Sequence, residues 1–162
     1  MRKIVYMLVS GALVAAWGTS ALATNQHDFG GIWAIGRLVG VWHVTGQPVN
    51  CTTRVPLPVP AITGIMAFHA GGTSTEAAPS ATPRTPGLGT WHWVGKRNFV
   101  AAATVLNYDI NGLSTGSLVV RRKITLAPDG NSFTSANETT ITDASGATFL
   151  RCADGTGTRA AE

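Results

Sequence analysis

Glu76, Tyr108, Arg122 and Asn137 are the side chains of this 162-residue sequence best suited to orient a bound molecule, and Trp42, Phe68, Trp91 and Trp93 are the ones best suited to enclose it. Arg122 lies within an alternating stretch, Ser117 to Leu126, which sends Leu118, Val120, Ile124 and Leu126 to one face and Ser117, Arg121, Lys123 and Thr125 to the other. Arg122 shares the apolar face. A guanidinium there is costly to bury unless it meets a carboxylate or an anionic ligand. Glu76 is an available carboxylate, with Asn137 and Tyr108 as further polar candidates. Two roles stay open: an Arg122 to Glu76 pair that stiffens the fold, or an arginine that orients a ligand. The stretch Ser132 to Thr142 places Ser135, Asn137 and Thr139 between Phe133 and Ile141 on its inner face, a polar interruption that a dry core disfavours. Each aromatic residue taken singly reads as core. The set together reads as the wall of a cavity for a small apolar or amphipathic molecule.

Other chemistries find less support. If Trp42, Phe68, Trp91 and Trp93 point inward, alternation turns His43, His69 and His92 outward, and no HxH or HxxxH spacing joins them, so no metal site is expected. There is no GxSxG motif and no glycine-rich phosphate loop between a strand and a helix, and no cofactor is expected. An enzyme would need an acid or base beside the reacting atom. Only Glu76, Glu138 and Tyr108 are on offer, with Glu138 facing out. The catalytic alternative to binding is therefore a cofactor-free isomerase or cyclase working by cavity shape. A filled barrel with a structural or interaction role is the third option.

The N-terminus carries Arg2 and Lys3, an apolar run from Ile4 to Trp17, and Ala21-Leu22-Ala23, the pattern of a cleaved signal peptide over residues 1–23. Ser10, Gly11, Gly18, Thr19 and Ser20 dilute that run too much for a membrane span, so a secreted or periplasmic protein is expected. The chain beyond residue 23 amounts to one domain, with residues 24–39 packing on a barrel formed by residues 40–162. It holds ten Lys and Arg against eight Asp and Glu, a balance too even to imply nucleic acid as a partner. Cys51 and Cys152 are the only cysteines, and in an exported chain they read as a disulfide.

Candidate strands are Gly40 to Gln47, Ile62 to His69, Thr73 to Ala77, Gly89 to Val94, Asn98 to Tyr108, Ser117 to Leu126, Ser132 to Thr142 and Ala147 to Ala153. Short Gly and Asx turns separate most of them, which makes an all-β antiparallel meander. Eight meandering strands hide their two edges most simply by closing into a barrel, with a β-sandwich as runner-up. The Pro-rich connection Ala78 to Gly89 is expected as a surface loop at one mouth. The strand Asn98 to Tyr108 is apolar on both faces, so residues 24–39 or a second copy of the chain, as a homo-oligomer, would cover its outer side.

"GVW" at Gly40 to Trp42, together with Arg151 on the last strand beside a cysteine, resembles the calycin group of lipocalin-like barrels. That resemblance implies a ligand-holding barrel in which an arginine of the final strand, here Arg151, covers the GxW tryptophan. "GIW" at Gly31 to Trp33 is a second match to the same motif, and the ten residues after Cys152 leave no room for the long C-terminal helix of lipocalins. The segments "NC", "FHAGGTSTE", "PGLGTW" and "RCADGTGTR" are similar to those of a group of small exported bacterial proteins, a likeness that implies no particular activity. The cyclase alternative resembles allene oxide cyclases and dirigent proteins, which are also eight-stranded barrels.

Overall fold

The structure, a computed structural model, describes residues 36–161. The signal-peptide reading of residues 1–23, the "GIW" motif and most of the segment expected to pack on the barrel lie outside these residues. Eight strands run in chain order: β1 (Gly40–Val49), β2 (Ile62–Phe68), β3 (Thr73–Ala77), β4 (Gly87–Gly95), β5 (Asn98–Tyr108), β6 (Ser114–Leu126), β7 (Ser132–Asp143) and β8 (Thr148–Arg159). Each pairs antiparallel with the next, and β8 pairs back onto β1, so the sheet is a closed eight-stranded meander barrel and not a sandwich. No helix among the described residues is long and apolar enough to cross a membrane.

The turns use the expected chemistry. In the β7–β8 turn the Asp143 carboxylate accepts the N–H groups of Ser145 at 2.8 Å and Ala147 at 3.0 Å and the Ser145 hydroxyl at 2.6 Å. The Ser145 hydroxyl is the main reason the Asp143 carboxyl is held below its usual range; desolvation opposes it, and nearby backbone N–H groups add to it. Asp109 closes the β5–β6 turn in the same way, accepting from Asn111 and Leu113.

Up-and-down topology gives the barrel two unlike ends. The β2–β3, β4–β5 and β6–β7 turns lie at the end where β1 begins, and the other four connections lie opposite. The main core cluster sits at the first end: Leu38, Trp42, Met66, Phe68, Trp91, Phe99, Ile124, Leu126 and Phe133 are buried there together. Leu38 closes it from outside the strands, and its carbonyl accepts the Trp42 indole N–H at 2.9 Å. At the opposite end, Cys51 in the β1–β2 connection is bonded to Cys152 of β8, as expected, with Cα atoms 5.1 Å apart. Arg54 strengthens that corner through an ion pair with Asp154 and a hydrogen bond to the Ala153 carbonyl.

One expectation is overturned here. The arginine over Trp42 is Arg159, not Arg151: its guanidinium carbon lies 4.4 Å from the ring centroid, and it donates to the carbonyls of Val39, Gly130 and Arg37. Arg151 is exposed and pairs with Thr139 of β7, far along the strand from Trp42. The physical cause is the length of β8, which runs six residues past Ala153. The run Gly155-Thr156-Gly157-Thr158 has no side chain on its inward face, so its alternation is invisible in sequence. Both glycines are buried, and their emptiness is used by neighbours: a Cβ on Gly157 would stand 2.3 Å from the Phe133 ring, and one on Gly155 would stand 2.4 Å from Ser135 Oγ.

Gly157→Ala should therefore lower stability by about 1 to 3 kcal/mol, the usual cost of overpacking. Phe133→Leu in the same chain should return part of that loss. Urea unfolding checks both, and an unchanged midpoint for Gly157→Ala would contradict this packing of β8.

Candidate functional site

Arg122 and Glu76 meet across the lumen. Glu76 lies on β3 opposite Met66 and Gly87, and Arg122 lies on β6 opposite Ala101 and Asn137. Their strands are three apart around the wall, yet Arg122 Nη2 is 2.6 Å from Glu76 Oε2, and their side chains are only 14% and 16% exposed. Small neighbours make the crossing feasible. A Cβ on Gly87 would fall 2.3 Å from Glu76 Cγ, so only glycine leaves room for that carboxylate arm. Burial pulls the Arg122 guanidinium below its ordinary range, while the charge of Glu76 and a hydrogen bond to it oppose the shift. An arginine still keeps its proton.

Polar demand at this level is not fully met. Asn137, beside Arg122 in register, has a buried Oδ1 with no hydrogen-bond partner among the described residues. Glu76 Oε2, close as it is to Arg122, also accepts no well-aligned hydrogen bond. Buried acceptors left in this state each cost about 1 to 3 kcal/mol.

On one side of the pair the lumen is filled. Trp42 packs on Phe133 with ring centres 5.0 Å apart, and Phe68 meets Trp91 edge-on at 5.9 Å. The indole N–H of Trp91 donates to the Thr73 carbonyl at 2.9 Å, and that of Trp93 donates to the Lys96 carbonyl at 2.9 Å. Trp42, Phe68, Trp91 and Trp93 are thus brought together, but as an interlocked core with its polar tips satisfied by backbone.

On the other side Ala103, Val105 and Val120 are still buried, but other inward positions are open. Register places Ile62, Leu118, Ile141 and Phe149 on the lumen face, since their partners in the ladder lead back through Gly46, Val105 and Thr139 to the same surface as Trp42. Leu118 and Ile141 are half-buried, and Ile62 and Phe149 are 55% and 51% exposed. The connections around this mouth add exposed Val55, Val59, Ile110 and Leu113. The Pro-rich connection also lies here, tied to β5 by hydrogen bonds between Thr85 and Leu106 in both directions.

Tyr108 stands apart from this group. It comes after a register shift at the end of β5 and donates its backbone N–H to Pro83, and among the described residues its hydroxyl bonds none of Glu76, Arg122 or Asn137. His43, His69 and His92 are exposed, and Glu138 faces out, as alternation requires. The outer face of β5 forms the floor of a surface groove of about 320 Å³, with Val100 and Ala102 below His92, Arg121, Lys123 and Glu138. Its mixed charges lie on the outer side of the barrel wall, and Ala101 and Arg122 also line it, so it meets the wall at the Arg122 level from outside. Phe149 and Arg159 are the residues that sequence reasoning missed. The Gly155–Thr158 run carries no apolar pattern that could have placed Arg159, and the apolar Phe149-Leu150 step was too short to assign a face to Phe149.

No family model, no curated protein and no solved structure matches this chain.

Removing one member of a buried pair strands the other. Arg122→Met should cost about 3 to 5 kcal/mol, and the double change with Glu76→Gln should recover most of it. Chemical denaturation of the two single variants and the double variant checks this. Additive losses would show that the two side chains act independently.

Proposed function

We propose that this chain is an exported protein that holds a small, mostly apolar molecule in the open half of its barrel. The observation that carries this is the division of the lumen at Arg122 and Glu76: interlocked rings on one side, inward aliphatic and aromatic side chains left in contact with water on the other. Each Å² of that apolar surface covered by a ligand is worth about 25 cal/mol. The wall is held closed by a continuous ladder, so the site is preformed and binding does not require ordering it. Arg122, Glu76 and Asn137 form the floor and supply orientation, while Trp42, Phe68, Trp91 and Trp93 close the back. A Cys51–Cys152 bridge suits an oxidising compartment outside the cytoplasm.

Binding is favoured over isomerisation or cyclisation because Glu76, the one inward carboxylate of this site, is engaged by Arg122, and Tyr108 lies away from it. A filled structural barrel is the competing interpretation, supported by the packed aromatic half. The two separate on whether the open half takes up a guest.

The test uses N-phenyl-1-naphthylamine, an uncharged apolar dye whose emission rises out of water. Wild-type protein should bind it with a stoichiometry near one. Leu118→Trp, which fills the lumen on the open side of the floor, should weaken binding by about tenfold or more while changing stability by less than about 3 kcal/mol. No binding to the wild type, or equal binding to Leu118→Trp, would favour the filled barrel.

A further inference from the structure

We infer that the molecule held in the open half is uncharged and enters polar end first, with a hydroxyl as its head: a neutral amphipathic alcohol. This rests on the binding function proposed above and adds the chemical class of the ligand. Charge balance comes first. Arg122 and Glu76 cancel each other 2.6 Å apart, so a carboxylate or ammonium brought to the same level would be a third charge without a partner. The inward positions that continue from there along β6, β7 and β8 are Val120, Leu118, Thr139, Ile141 and Ala153, none of them ionisable. The one further charge on that face, Arg151, stands opposite Thr139 between Ala153 and Phe149 and is exposed.

Hydrogen-bond demand then selects among neutral heads. Asn137 Oδ1 has no donor, and Glu76 Oε2 has no aligned one. The guanidinium has five N–H donors, and the carboxylate it meets cannot use all of them. A group that both donates and accepts satisfies the two sides at once, giving its proton to Asn137 Oδ1 or Glu76 and taking an N–H from Arg122. A hydroxyl is the smallest group that does so. An ether or ketone only accepts and would leave Asn137 orphaned. The tail then runs past Leu118 and Ile141 toward Ile62 and Phe149. Asn137 and Ile141 are four residues apart on β7, about 13 Å at about 3.3 Å per residue, which suits a medium-length alkyl chain.

The probes are 1-octanol, octanoate and octylammonium, measured on the full mature protein by displacement of N-phenyl-1-naphthylamine. We expect octanol to compete at least about tenfold better than either ion. Asn137→Leu, verified as folded by circular dichroism, should lose about tenfold for octanol. Glu76→Gln, where it folds, leaves Arg122 unbalanced and should reverse the preference toward octanoate. Octanoate or octylammonium competing as well as octanol in wild-type protein, or undiminished octanol binding to Asn137→Leu, would overturn the inference while leaving the binding function standing. Failure of the dye itself to bind would instead remove the binding function on which it rests.

Discussion

A guanidinium and a carboxylate facing each other inside a barrel set the terms for everything around them. Each loses several kcal/mol of hydration on burial, and their attraction repays this only when geometry is close and the leftover polar atoms find partners. Arg122 and Glu76 satisfy the first condition and not the second, since Asn137 Oδ1 has no hydrogen-bond partner among the described residues and Glu76 Oε2 no well-aligned one. Such a pair fastens β3 to β6 across the lumen without sealing it. The packed aromatic half can end there because the pair gives it a polar boundary, and the open half can begin there for the same reason.

The two halves are anchored by different means. At the closed end the bare inward face of Gly155 and Gly157 lets Phe133 lie inside the wall and reach Trp42, and Arg159 then stacks on the tryptophan and ties it to the incoming chain at Val39. The open end has no comparable core. Its β1–β2 connection is long and carries exposed Val55 and Val59, and it is held by the Cys51–Cys152 bond and the Arg54 to Asp154 pair. The disulfide joins residues 101 apart in sequence, and closing a loop of that length is worth about 4 to 5 kcal/mol in the chain-entropy model, enough to replace a missing layer of packing. A mouth held by covalent and ionic ties can keep apolar side chains uncovered, which a mouth held by burial could not.

The legibility of this fold in its sequence depends on where side chains carry a pattern. β6 alternates bulky and polar residues cleanly, so the inward placement of Arg122 among Leu118, Val120 and Ile124 was legible, and so were the eight strands, their turns and the cysteine pairing. The last six residues of β8 were not, because glycine marks no face, and the arginine nearest a cysteine then stood in for the one at the true strand end. The division of the lumen was also hidden. Trp42, Phe68, Trp91 and Phe133 share the inner surface with Ile62, Ile141 and Phe149, and alternation cannot distinguish them. Only the stagger between strands decides which end each reaches, and that is a property of the ladder as a whole.

Together these features give the lumen a back of interlocked rings, a level of balanced charge with unmet hydrogen bonds, and an apolar rim. The most direct measurement is a titration of methyl-labelled protein with 1-octanol tracked by nuclear magnetic resonance. We expect the Ile62, Leu118 and Ile141 methyl signals to shift in proportion to one another, while those of Ile124, Leu126 and Met66 stay in place. Shifts centred on Ile124 and Leu126, or an absence of shifts at Leu118 and Ile141 at saturating alcohol, would contradict a lumen divided at Arg122 and Glu76.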